Sequence, residues 1–422
     1  MIDMDVLKNE ILIYHVLPFV GDGQFRFVGG VNRTFYNCYL ATFPNNTFNT
    51  QITFEHVRRI EICYNEIPSY KRRILCALAA KSGTLEMLQY LRGIGCPWDT
   101  ATCKFAAETG NLEILKWARL SGCPWDASTS TAAAKLGRLD ILEWVHKNEC
   151  PWNESSCAAA ASKGHLVVLQ WMRKRKCPWD ARTCSEAAAG DFLNILQFAR
   201  SIGCPWDESS TTNAAKFGHL KMLQWLRSNG CPWGNDTCSS AALNGNLVML
   251  QWARTHGCPW DTDACALAAQ NGHLNVLEWA RRHGCPWNEW TCASAASKGH
   301  LHILRWAREN NCPWNASTCS YAAANGDLQT LTWARDHGCP WSVMTCASAS
   351  RNGHLAILQW ARDNGCPWDA QTCACAAENG YLEILQWARL NNCPWGQYTR
   401  QAAVTKGYTS IVEWCDLNGC PK

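Results

Sequence analysis

Apolar residues in this chain fall into two short groups that alternate with fixed punctuation. The segment Asp99 to Gly122 shows the pattern. Small residues run from Cys103 to Ala107, Gly110 breaks the run, and a bulkier group follows at Leu112, Ile114, Leu115, Trp117 and Ala118. The first group predicts a short Ala-rich helix over Cys103–Thr109, with Asp99 and Thr102 as candidate start residues. The second predicts a helix over Leu112–Leu120 with Asn111 as its cap. Its apolar arc is wider than a helix with one buried face needs, so it calls for neighbours on both sides. Gly122 and Pro124 then stop the chain from continuing as helix.

The same pattern recurs at a fixed period. Cys-Pro stands at Cys96, Cys123, Cys150, Cys177, Cys204, Cys231, Cys258, Cys285, Cys312, Cys339, Cys366, Cys393 and Cys420, always 27 residues apart. Trp follows the Pro in all of them except the last. A constant period of this length marks a stacked array, whose units are too small to bury their own apolar faces. The expected fold is therefore all-α, a helix–turn–helix solenoid of about 13 repeats over 70–422, with a small helical domain over 1–69. The last unit has Trp414-Cys415-Asp416 where most have Trp-Ala-Arg, which suits a terminal cap. Asp191 and Phe192 replace the usual Gly and polar residue between helices, and a local distortion is expected there.

The run Ala106-Ala107-Glu108-Thr109-Gly110-Asn111-Leu112-Glu113-Ile114-Leu115 resembles the helix–turn–helix run of the ankyrin repeat family. The resemblance extends over 70–422. It implies a protein-binding array whose partner lies in a concave groove. The unit is shorter than the family's usual 33 residues, and the missing residues fall where the family has its projecting hairpin. The family's Thr-Pro-Leu-His start is also absent. In the N-terminal segment, Leu7, Glu10, Ile11 and Leu12, with Val31-Asn32-Arg33 and Phe35, resemble an F-box. That resemblance implies docking onto the adaptor of a cullin-type ubiquitin ligase. Lys8 and Pro18 depart from the F-box pattern, and a plain cap over the first repeat is the other reading of 1–69.

Composition narrows the function. Hydrophobic residues make up 47% and charged residues 18%, which supports a packed core and excludes disorder. A net charge of +4 is too mild to argue for nucleic acid or an anionic membrane as partner. No apolar run approaches the length of a membrane span. The acidic start, with Asp3 and Asp5, does not read as a secretory signal. An intracellular place, cytoplasmic or nuclear, is expected, with the cysteines as thiols and the chain as a monomer.

The conspicuous residues all form columns. A second Cys column, Cys103, Cys157, Cys184, Cys238, Cys265, Cys292, Cys319, Cys346 and Cys373, reads Ser130, Thr211 and Arg400 in other units, so packing explains it better than zinc or disulfides. Two Trp columns hold 23 of the 24 Trp and are expected to form core ladders between repeats. The Arg119, Arg173, Arg200, Arg227 and Arg254 column suits helix C-termini. His165, His219, His273, His300 and His354 share a column with Asn111, Asn246 and Asp327 and are expected to cap the second helix. No catalytic constellation emerges, and neither enzyme activity nor a cofactor or metal is expected.

In a repeat protein the positions that vary are the candidates for recognition. Just before the inter-helix Gly these are Glu108, Lys135, Lys163, Lys216, Phe217, Gln270, Lys298, Arg351 and Glu378, with Phe105, Glu186 and Tyr321 on the first helices. The ankyrin resemblance implies that they line the groove. A protein partner is the leading expectation and nucleic acid a distant one.

Overall fold

Asp99 sets the start of the first helix. Its backbone is extended and its carboxylate accepts the Ala101 N–H at 3.0 Å, satisfying one of the donors left open at a helix N-terminus. The helix runs Thr100–Glu108, three residues earlier than the apolar pattern alone suggests. Asp126, Asn153, Asp180, Asp261, Asn288, Asn315, Ser342 and Asp369 repeat this cap. The second helix runs Leu112–Leu120 as expected, and the Asn111 side chain accepts the Ile114 N–H at 3.0 Å.

The computed structural model describes residues 69–421. The F-box-like and capping readings of 1–69 lie outside the described residues. From Ser69–Ser82 to Thr409–Leu417 the chain forms 26 helices in pairs, with no strand among the described residues. The described residues form an all-helical repeat array. No described helix is long and apolar enough to cross a membrane.

The chain divides into two bodies between Asp207 and Glu208. Within each, a first helix packs on the first helices of adjoining units and on its own second helix. Fully buried alanines such as Ala106, Ala107, Ala295 and Ala296 let the first helices approach closely. The second helices bury their larger residues, as Ile114, Leu115 and Ala118 do.

The His column departs from expectation. Asn111, Asn246 and Asp327 cap their helices through side-chain oxygens, whereas His165, His219, His273, His300 and His354 make no side-chain cap bond. An imidazole carries no oxygen acceptor on a short stem, and it reaches backwards over the preceding unit instead. His165 Nε2 donates to the Lys135 carbonyl at 3.1 Å, His273 Nε2 to Leu243 at 3.1 Å, and His354 Nε2 to Ala324 at 3.2 Å. A Cβ on Gly137 would sit 2.6 Å from the His165 ring, and φ there is +77°. That glycine is required both by the turn and by the ring above it.

The expected distortion at Asp191 is also absent. Ala181–Ala189 and Leu193–Ser201 keep the common helix length, and Asp191 simply adopts the left-handed φ of 60° that Gly takes elsewhere. Glu149 and Lys176 do the same after their second helices, at φ 63° and 61°. Left-handed backbone costs a side-chain-bearing residue roughly 1–2 kcal/mol, part of which the extra freedom of unfolded Gly offsets. Lys176→Gly is therefore expected to raise stability by about 0.5–1 kcal/mol in urea melts. An unchanged midpoint would show that the site is relaxed.

The last unit differs through a charge pair. Arg400 stands in the second Cys column and Asp416 in the Arg column, and they meet in a two-pronged bridge at 2.7 and 2.9 Å.

Candidate interaction surface

The thiols, indoles and guanidinium groups have to be placed before the remaining surface can be read. Each Cys of the second column sits beside the Cys-Pro thiol of its own unit, 20 residues on, rather than the preceding one. Cys103 pairs with Cys123 in this way, and the Cys123 thiol donates to the Asp99 carbonyl at 3.4 Å. The hydrogen bond to Cys123 and then burial push Cys103 well above the ordinary thiol range. Where Ser130 replaces the Cys, its hydroxyl donates to the Pro151 carbonyl at 2.9 Å. Thr211 does the same to Pro232 at 2.9 Å. A small donor facing a carbonyl is what the slot requires, and Ser, Thr and Cys all provide it. Of the 27 cysteines, 25 lie among the described residues, all buried and none in a disulfide. A thiol that a reagent cannot reach does not react. Native protein is therefore expected to react rapidly with an aromatic disulfide reagent at no more than the two remaining cysteines, with the other 25 reacting only on unfolding. Rapid native labelling beyond two would contradict the packing role.

The Trp ladders form an edge of the core rather than its centre, because every rung is half-buried. Trp125 meets Trp144 of the next unit edge-on at 5.7 Å, and Trp287 meets Trp306 at 5.9 Å. The Arg column is joined to this ladder. The Arg119 guanidinium lies 4.5 Å from the Trp125 ring centre and donates to the Cys123 carbonyl at 3.0 Å. Arg281 covers Trp287 at 4.1 Å and donates to the Cys285 carbonyl. His146 takes the Arg place in its unit and stacks on Trp152 at 4.2 Å. These side chains are tied to the framework by stacking and, for Arg119 and Arg281, by a carbonyl bond as well. Two members of the basic run Arg173-Lys174-Arg175-Lys176 contribute likewise, Arg173 to Trp179 and Arg175 to Trp171, both at 4.0 Å, while Lys174 and Lys176 are exposed.

The second helices expose single apolar residues such as Leu120, Val167, Val248 and Leu390, whereas the first helices present cavities. Residues three, four and seven apart share one side of a helix. In Glu289–Ser297 that side carries Trp290, Ala293, Ser294 and Ser297. Trp290 is half-exposed and its ring stands 6.3 Å from Tyr321 of the next unit. With Gln270 and Lys298 they line a cavity of about 380 Å³. A second cavity, about 370 Å³, gathers Arg351, Gln371, Cys375, Glu378, Tyr398 and Lys406. Arg351 donates to the Cys375 sulfur at 3.1 Å. Of the residues singled out from sequence, Gln270, Lys298 and Tyr321 thus come together in one cavity, and Arg351 and Glu378 in another.

The others stand apart from these cavities. Phe105 lies under the Lys81 and Lys104 ammonium groups at 5.2 and 5.5 Å, and Glu108 pairs with Lys104 at 3.7 Å. Lys135 and Lys163 are exposed, and Glu186 is half-buried. Phe217 is 55% exposed and stacks on His219 at 6.4 Å, with the Lys216 ammonium 5.9 Å from its ring. Sequence reasoning passed over Trp290, Tyr398, Met344 and Gln371, each the second residue of its first helix. The signal was available: Trp290 is the single Trp outside the two ladders.

No protein-family model matches the chain, and no curated protein matches it. Solved structures with a similar arrangement include the pentatricopeptide repeat protein PPR10 from maize, at 12% identity over 87% of this chain and 66% of that one, with a TM-score of 0.36. PPR10 in complex with an 18-nucleotide psaJ RNA element is another, at 12% identity over 88% and 72% of the chains, with a TM-score of 0.29. The human ASB11 ankyrin repeat domain is similar at 16% identity over 37% of this chain and 84% of that one, with a TM-score of 0.32. The chain spans about two thirds of the maize protein's length. RNA in the second structure is a property of that protein.

Proposed function

We propose that this chain is a non-enzymatic binding scaffold of shortened ankyrin-like units, and that it recognises a protein along the exposed side of its first helices. One observation carries the reading: large side chains stand exposed at Trp290, Tyr321, Met344 and Tyr398, in columns where about half of the other units place Ala or Ser. Such residues are costly to leave in water and are typical anchors of protein interfaces. Lys216 and Phe217 extend that surface within the second body, and Phe105, Glu108, Lys135, Lys163 and Glu186 are the recognition residues of the first body in this reading. Buried thiols without disulfides fit an intracellular setting. The N-terminal F-box resemblance makes a ubiquitin-ligase substrate receptor the more specific form of the proposal.

Two captures test it. The full chain is expected to retain a partner that the Trp290→Ala, Tyr398→Ala double variant loses, with only a shallow dependence on salt. Binding that collapses between low and moderate salt, with RNA in the captured fraction, overturns the protein-binding reading in favour of nucleic acid. Retention of the cullin-ligase adaptor by the full chain, lost on Leu7→Ala, supports the receptor form, and failure to retain it removes that form alone.

A further inference from the structure

The two cavities lie in the same body, on the same side of successive first helices. The first is walled by Trp290 and Tyr321 over small residues, Ala293, Ser294 and Ser297, with Lys298 as its charged lining residue. The second has Tyr398 over Ala374 and Ala402, with Arg351 and Lys406 against Glu378. Each is large enough for one bulky side chain, and each carries a net positive charge of one among its lining residues. Between them Met344 is 42% exposed on Val343–Arg351.

The spacing is fixed by the repeat. The first cavity centres on helix Glu289–Ser297, and the second lies between Ala370–Glu378 and Gln397–Lys406. That is three to four helix spacings of roughly 8–10 Å each, or about 30 Å. An extended chain covers this distance in about nine or ten residues, whereas a helix would need about twenty.

Resting on the protein-binding reading above, we infer that this face is a two-anchor ruler for an extended acidic peptide. One bulky apolar side chain of the peptide enters beside Trp290 and Tyr321. A second, nine or ten residues away, enters beside Tyr398. Carboxylates between and around them face Lys298, Arg351 and Lys406. Net positive charge at both ends of the span selects an acidic ligand, and the spacing selects which acidic segments fit.

Fluorescein-labelled 24-residue peptides of Asp, Glu, Ser and Gly test this by anisotropy on the full chain. Each would carry two Phe residues separated by about 5, 10, 14 or 20 positions. The expected result is tightest binding at the spacing of 10, at least tenfold better than at 5 or 14. Trp290→Ala and Tyr398→Ala should each weaken that peptide about 30-fold and erase the spacing preference. Both side chains are exposed, at 50% and 73%, so an unchanged thermal midpoint should accompany the loss. A Lys-for-acid version of the same peptide should not bind. Binding that is indifferent to spacing yet still sensitive to Trp290→Ala overturns the ruler while leaving protein recognition standing. An optimum at 20 overturns the extended geometry. Failure of every peptide, with oligo-uridine binding in their place, overturns both.

Discussion

Leu358→Ala is expected to destabilise the body formed by residues 208–421 by about 3 kcal/mol, the usual scale for removing most of a buried leucine side chain from a site that collapses poorly. Leu358 is fully buried in a cluster with Leu331, Ile384 and Leu385, which come from the units on either side. Truncation therefore opens a void shared by three units, and no single unit can close it by shifting. The equivalent residue of the final unit is Val412, half-buried with a neighbour on one side only. Val412→Ala should cost about 1 kcal/mol or less. Chemical melts of both variants, read with amide exchange, check this. The Leu358 variant should lose protection in its own and adjoining units first, as nearest-neighbour stability requires. Equal costs at the two positions would mean that the units do not share their cores.

The unequal costs follow from the feature of the sequence that was easiest to read. A period of 27 with no insertion leaves one register for the stack, and the second helix Leu112–Leu120 could be placed to the residue because Asn111 and Gly122 bracket a purely helical pattern. The first helix was less legible. Its true start is set by a carboxylate at Asp99, four residues before the Ala-rich run. Thr100, Ala101 and Thr102 carry no periodic signal of their own. The His column was misread because the residue type fits a cap position while the side chain answers to the carbonyl of the preceding unit, a contact 30 residues away. The cavities were half-legible. Variation before the inter-helix Gly pointed to Gln270, Lys298, Arg351 and Glu378, but the aromatic walls at Trp290 and Tyr398 lie a further two turns back on their helices. Only the helical repeat of three and four places them on the same side.

The largest effect expected outside the core belongs to the Arg–Trp edge. Arg281→Ala should cost about 2 kcal/mol, because it removes a charge-assisted hydrogen bond and a cation–π contact together. The guanidinium donates to the Cys285 carbonyl in the segment leaving the second helix, and its plane lies 4.1 Å from the Trp287 ring centre. It also sits in the last turn of Leu274–Arg282, where positive charge is favoured. Arg281→Lys should lose nearly as much. An ammonium keeps the charge but has no plane to stack and no fork to hold the carbonyl while covering the ring. His146 supplies the converse: it stacks on Trp152 without that carbonyl bond among its described contacts, so His146→Arg should stabilise by about 1 kcal/mol. If the column is framework, these shifts in thermal midpoint come with unchanged affinity for the two-anchor peptide and for RNA alike. Should Arg281→Ala leave the midpoint where it was and weaken RNA binding instead, the cations would be working at the surface. The Trp ladder would then be the functional face, and the first-helix cavities would not.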